Sequence, residues 1–169
     1  LEVAMTLFKS MKVNGLYPND TTFKLLASIC SNAKCSKTCR ILLNNVPLHR
    51  LSQNSALLDS FIQMIGKCEG LKPALNFFAE TKLRKAKITL SVYRSLFHLC
   101  LRKDDDESGS RFTEAKYLFT ESKQYLASGG TASTDDLVAC FEVLFLICAH
   151  SRDYEFGVEL HSSLAELKI

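Results

Sequence analysis

Three large apolar residues, Phe23, Leu58 and Tyr93, stand 35 positions apart, and each opens a segment with the same apolar rhythm. A chain with such a period folds by stacking copies of one supersecondary unit, so the recurrence constrains the fold more than any single motif. The second copy reads ALLDSFIQMIGKCEGLKPALNFFAET and the third SVYRSLFHLCLRKDDDESGSRFTEAKYLFTES. Each has an apolar first helix, a polar break and a second helix of the form A-x-x-[FL]-F. The opening EVAMTLFKSM matches a second helix alone, with Ala4, Leu7 and Phe8 in the places of Ala74, Phe77 and Phe78. A fourth copy, ACFEVLFLICAHSRDYEFGVELHSSL, puts Phe141 at the register position and Gly157 at the small-residue position.

The helical reading rests on a 3.6-residue period. From each register residue, apolar side chains recur at plus three, four and seven: Leu26, Ala27 and Cys30; Phe61, Ile62 and Ile65; Leu96, Phe97 and Cys100; Leu144, Phe145 and Cys148. They predict one buried stripe per first helix. Gly15 and Gly70 suit left-handed helix ends, Pro18 cannot continue a helix, and Pro73 falls in a first turn. Nine helices are expected, a leading half-unit and four antiparallel pairs. The units are 1–19 (second helix of a preceding repeat and turn), 20–54, 55–89, 90–134 with an acidic insert at 104–110, and a degenerate or capping unit at 135–169. Insertions in DDDESGS and around YLASGGTASTDD lengthen the last interval without altering the helical stacking. Because Leu1 already starts an amphipathic helix, the chain is expected to be a piece of a longer protein.

At 47% hydrophobic and 23% charged residues, the chain has enough apolar surface to bury a core. No apolar run reaches the roughly 18 residues of a membrane span, and no membrane contact is expected. The seven cysteines lack the paired spacing of a disulfide framework, which predicts a reducing compartment. Net charge is divided along the chain. Residues 1–103 contain 16 Lys/Arg and 5 Asp/Glu, leaving +11, whereas residues 104–169 contain 5 and 13, leaving −8. The first part attracts a polyanion and the second repels one.

The turn GLYPNDTTFKLL, preceded by AMTLFKSMKVN, resembles the junction between pentatricopeptide repeats, whose units are 35 residues long and whose turn has the form G-x-x-P-[DN]-x-x-T-[YF]-x-x-L. The tetratricopeptide repeat differs in its period of 34 and its usual Trp; this chain has no Trp. The resemblance covers nearly the whole chain and is strongest at residues 15–27 and 56–78. It implies an all-α, right-handed superhelical solenoid of antiparallel helical hairpins. It further implies noncatalytic binding of single-stranded or ribosomal RNA in organelle gene expression, mitochondrial or else plastid, in RNA processing, stability, translation or the organellar ribosome.

Carried over position by position, the resemblance marks Lys24, Asp59, Arg94 and Glu142 as one set of RNA-facing residues and Asn19, Asn54, Thr89 and Leu137 as the other. Asn19, Asn54 and Thr89 have small polar groups suited to a base edge, and Lys24 and Arg94 suit phosphate. Asp59 and Glu142 repel a phosphate backbone, so weak or shape-based contact is expected. Basic residues near turns, Lys34, Lys37, Lys67 and Arg102, and the run Lys82, Arg84, Lys85 and Lys87, are candidate phosphate contacts. The alternative is a helical-repeat scaffold that binds a protein partner through the acidic residues 104–169, with no base reading.

Other chemistry finds little support. Cys30, Cys35 and Cys39 lack a fourth zinc ligand nearby in sequence, and Cys30, Cys100 and Cys148 share one position on the buried stripe, as small core residues would. The four histidines form no nucleophile or acid–base constellation. Phe8, Phe23, Phe77, Phe78, Tyr93, Phe119 and Phe141 are expected in the core rather than as base-stacking platforms. No enzyme activity, metal, cofactor or small-molecule substrate is predicted.

Overall fold

The computed structural model describes residues 1–102 and 108–167, and these residues are all-helical. The helices are α1 (Glu2–Val13), α2 (Asp20–Ala33), α3 (Ser36–Asn45), α4 (Leu48–Gln53), α5 (Ser55–Cys68), α6 (Leu71–Leu83), α7 (Leu90–Leu101), α8 (Ser108–Ala127), α9 (Thr134–Ser151) and α10 (Tyr154–Leu167). None among the described residues is long and apolar enough to cross a membrane. The acidic insert expected at 104–110 lies outside the described residues as far as position 107. The chain divides into two compact units, Leu1–Ile88 and Thr89–Ile169. The first holds 13 Lys/Arg and 5 Asp/Glu, leaving +8; the second holds 8 and 13, leaving −5.

In the first unit, α2 and α5 lie side by side and point the same way. Asn54, which precedes α5, bonds Asp20 at the start of α2, and Cys68 at the end of α5 touches Cys30 near the end of α2. Phe8, Phe23 and Phe61 run through this layer, with ring centroids 5.9 Å and 6.4 Å apart. Leu26, Ala27, Ile62 and Ile65 fill the same stripe and are buried. Each fully buried Phe or Leu contributes about 1.5–3 kcal/mol relative to exposure. Helix α3 packs on α2 and α5, and α6 packs on α5. Lys12 of α1 donates to the Asn45 side chain of α3.

In the second unit, α7 and α9 pack together, α8 packs on both, and side chains along α8 reach successive positions of the α10 segment. Lys116 of α8 reaches Asp153 at 2.8 Å, and seven residues on, Lys123 reaches Ser163 at 3.2 Å. Phe119 joins the layers, 6.0 Å from Phe141 and 5.6 Å from Phe156.

Four sequence expectations need correction. Ten helices are present among the described residues, not nine: α4 is a six-residue helix behind Pro47, anchored by buried Leu51 and too short to show a period. The stripe on α9 is rotated, with Cys140, Phe141, Val143, Leu144 and Ile147 buried, whereas Phe145 is 36% exposed and Cys148 half-buried. This helix begins at Thr134, a turn earlier than the register predicts, and is apolar on most sides, so spacing does not single out a face. Leu7 is 61% exposed and Phe77 only half-buried, while Phe8 and Phe78 carry the packing. Gly70 does have a positive φ, +100°, but its ψ of −179° makes it the entry to α6 rather than a left-handed end to α5.

The stripe position at plus seven has a second task. Cys30 donates its thiol to the Cys35 carbonyl at 3.4 Å, and the equivalent Cys148 donates to the Asp153 carbonyl at 2.9 Å. In both turns the preceding residue, Lys34 or Arg152, takes a left-handed conformation with φ of 48° or 57°. Both cysteines close the turn into the next helix, and Cys30 also fills the core.

Candidate nucleic-acid interface

The N-terminal ends of α2 and α5 open into a polar groove of about 800 Å³. Its lining collects Asn19, Asp20, His49, Arg50, Gln53, Asn54 and Lys87. Three of these, Asn19, Asn54 and Lys87, are sequence-predicted contacts brought together from separate segments. His49, Arg50 and Gln53 come from α4, which the periodicity did not disclose; the signal available was Pro47 followed by Leu48 and Leu51 at helical spacing.

Local chemistry explains the two asparagines. Asn19 caps α2, its Oδ1 accepting from the Thr22 N–H at 2.8 Å and the Thr22 hydroxyl at 2.9 Å. Asn54 caps α5, its Oδ1 accepting from the Leu57 N–H at 3.1 Å while its Nδ2 donates to Asp20 Oδ2 at 2.8 Å. Both satisfy helix N–H groups that lack intrahelical partners. Asn54 spends both ends of its amide within the protein, so its role is to position the groove. Arg50 braces the same corner, donating to the Pro18 carbonyl at 2.9 Å and to Asp20 at 3.3 Å. The Lys87 N–H donates to the Ser52 carbonyl at 2.8 Å, fixing the backbone and leaving the side chain exposed at the rim.

The other predicted residues do not join this groove. Lys24 and Asp59 are half-buried on α2 and α5, and Gln63 donates to Asp59 at 3.4 Å. Lys34, Lys37 and Lys67 are exposed at the opposite, C-terminal end of the α2 and α5 pair. With α2 spanning 14 residues, the two ends are about 20 Å apart at 1.5 Å per residue. Arg84 and Lys85 are exposed just after α6, on the way to Lys87, and Lys82 lies over the Phe78 ring at 5.6 Å.

In the second unit, Thr89 precedes α7 and shares a 2.9 Å hydrogen bond with Ser91. Arg94 meets the Asp136 carboxylate at 3.8 Å, which competes with any phosphate. Arg102 follows α7 and is half-buried. Leu137, expected in line with the caps, is inside α9; the cap there is Ser133, which accepts from the Asp136 N–H at 3.1 Å.

The cysteines cluster more than their spacing suggested. Cys68 brings its sulfur to 3.8 Å from that of Cys30. Burial, then the nearby Cys68, pushes the Cys30 thiol up to about 12, while the Thr38 hydroxyl lowers that of exposed-side Cys35. Among the described residues no group of three or more His, Cys, Asp or Glu side chains is placed to hold a metal ion. In comparisons with known proteins, no family model matches the chain, and no curated protein matches it either.

Proposed function

We propose that this chain is a pentatricopeptide-type repeat module that binds single-stranded RNA without catalysing a reaction, using the polar groove at the N-terminal ends of α2 and α5. The observation that carries the reading is the convergence of Asn19, Asn54 and Lys87, predicted contacts from three segments, in a unit of net charge +8. Packing of first helices on one another, α2 with α5 and α7 with α9, and the side-chain contacts between second helices α8 and α10 support the repeat-hairpin reading; the right-handed superhelical solenoid is implied by the repeat resemblance. Because the asparagines serve as caps, contact is to phosphate and sugar, with Lys87 and His49 at the rim, and sequence preference is weak. The setting in organelle gene expression, mitochondrial or plastid, ribosome-bound or free, rests on the repeat resemblance alone.

A protein scaffold is the second reading. It is favoured by one feature of the second unit: an apolar groove of about 660 Å³ on α9 and α10, lined by Phe145, Tyr154 and Val158, on a unit of net charge −5.

The test is binding of the chain to a labelled single-stranded RNA pool at two salt concentrations, with Lys87→Glu alongside. The log of the affinity is expected to fall with log salt by roughly 0.7 per phosphate engaged, and Lys87→Glu to weaken binding and flatten the slope by about that amount. No binding at low salt would transfer the assignment to the scaffold.

A further inference from the structure

The end of the α2 and α5 pair opposite the groove holds a pair of thiols from different repeats. Cys30 and Cys68 are 38 residues apart in sequence, yet their sulfurs are 3.8 Å apart. Cys68 also donates to the Cys30 carbonyl at 3.5 Å, so its side chain is directed at the Cys30 residue itself. A disulfide needs about 2.05 Å between sulfurs, so the pair has under 2 Å to close. Access is asymmetric, because Cys30 is fully buried and Cys68 is half-buried at the helix end.

We propose that Cys30 and Cys68 form a reversible disulfide that fastens α2 to α5 when the protein meets a small-molecule disulfide. The Cys68 thiolate attacks one sulfur of the oxidant, making a mixed disulfide and releasing one small thiol, which takes the Cys68 proton. The Cys30 thiolate then attacks the Cys68 sulfur. The new S–S bond forms as the second small thiol leaves with the Cys30 proton. Two protein thiols are oxidised and one small disulfide is reduced to two thiols. Burial raises both protein thiols above their ordinary range, so the closing rate rises about tenfold per pH unit between pH 7 and 8.

The experiment incubates the chain with glutathione disulfide, blocks free thiols, digests the protein and maps linked peptides by mass spectrometry. The expected product is a Cys30–Cys68 linked peptide, with two hydrogens lost from the protein mass and both restored by dithiothreitol. Cys30→Ser should stop the reaction at glutathione-bound Cys68, and Cys39→Ser should leave the linkage intact. Three results would overturn the proposal: a wild-type chain that keeps Cys30 alkylatable after denaturation, a Cys39–Cys68 linkage in its place, or no oxidation at either thiol. The wild-type mapping decides the matter even where a serine variant fails to fold.

Discussion

At the scale of single residues, Asp153 shows how one carboxylate ties two helices. Its Oδ2 receives Lys116 at 2.8 Å, and its Oδ1 accepts the Phe156 N–H at 2.9 Å at the start of α10. The Lys116 ammonium, then that N–H, holds the carboxyl below the usual carboxylate range. The folded state therefore binds its proton less readily than the unfolded state, whose value is about 3.9. Its contribution is complete above that value and is lost as pH falls through the lowered one. Asp153→Asn keeps a capping oxygen but cannot titrate. Thermal melts taken from pH 5 down to 2.5 should show the wild type losing more stability than Asp153→Asn, and parallel curves would remove this role.

At the scale of elements, caps decide where the helices begin. Asn54 both caps α5 and bonds Asp20 of α2, so Asn54→Ala should destabilise the first unit by about 1–2 kcal/mol in urea unfolding. Asn54→Asp keeps the cap but sets two carboxylates together. If the Asp20 contact matters, the aspartate variant will be less stable than the wild type in spite of its good cap. Much of this was legible in the sequence. The stripes from Phe23, Leu58 and Tyr93 specify buried faces because polar residues occupy the opposite sides. Position 137 misled because α9 is apolar on most sides, which leaves its face and starting turn to tertiary packing. The short helix α4 has too few residues for a period, yet it supplies His49, Arg50 and Gln53 to the groove lining. The Cys30 and Cys68 contact spans 38 residues and arises only from the side-by-side packing of α2 and α5.

At the scale of the whole molecule, charge separates the units, +8 against −5, while the cations of the first unit are distributed between two ends of one helix pair. That distribution gives a direct test of which end meets RNA. Lys87→Gln with His49→Gln should lower RNA affinity and reduce the salt slope by about 0.7, whereas Lys34→Gln with Lys67→Gln should leave both nearly unchanged. Equal losses from the two double variants, read by fluorescence anisotropy, would replace the groove with a diffuse electrostatic surface. The turns after α2 and α9 carry another consequence. Each has a cysteine thiol on a carbonyl five residues ahead, followed by a left-handed basic residue, although the two turns belong to different units and share little sequence. Such a joint is self-contained: thiol, carbonyl and left-handed basic residue lie within six consecutive residues, so the bond that closes each turn is written entirely within the hairpin it closes.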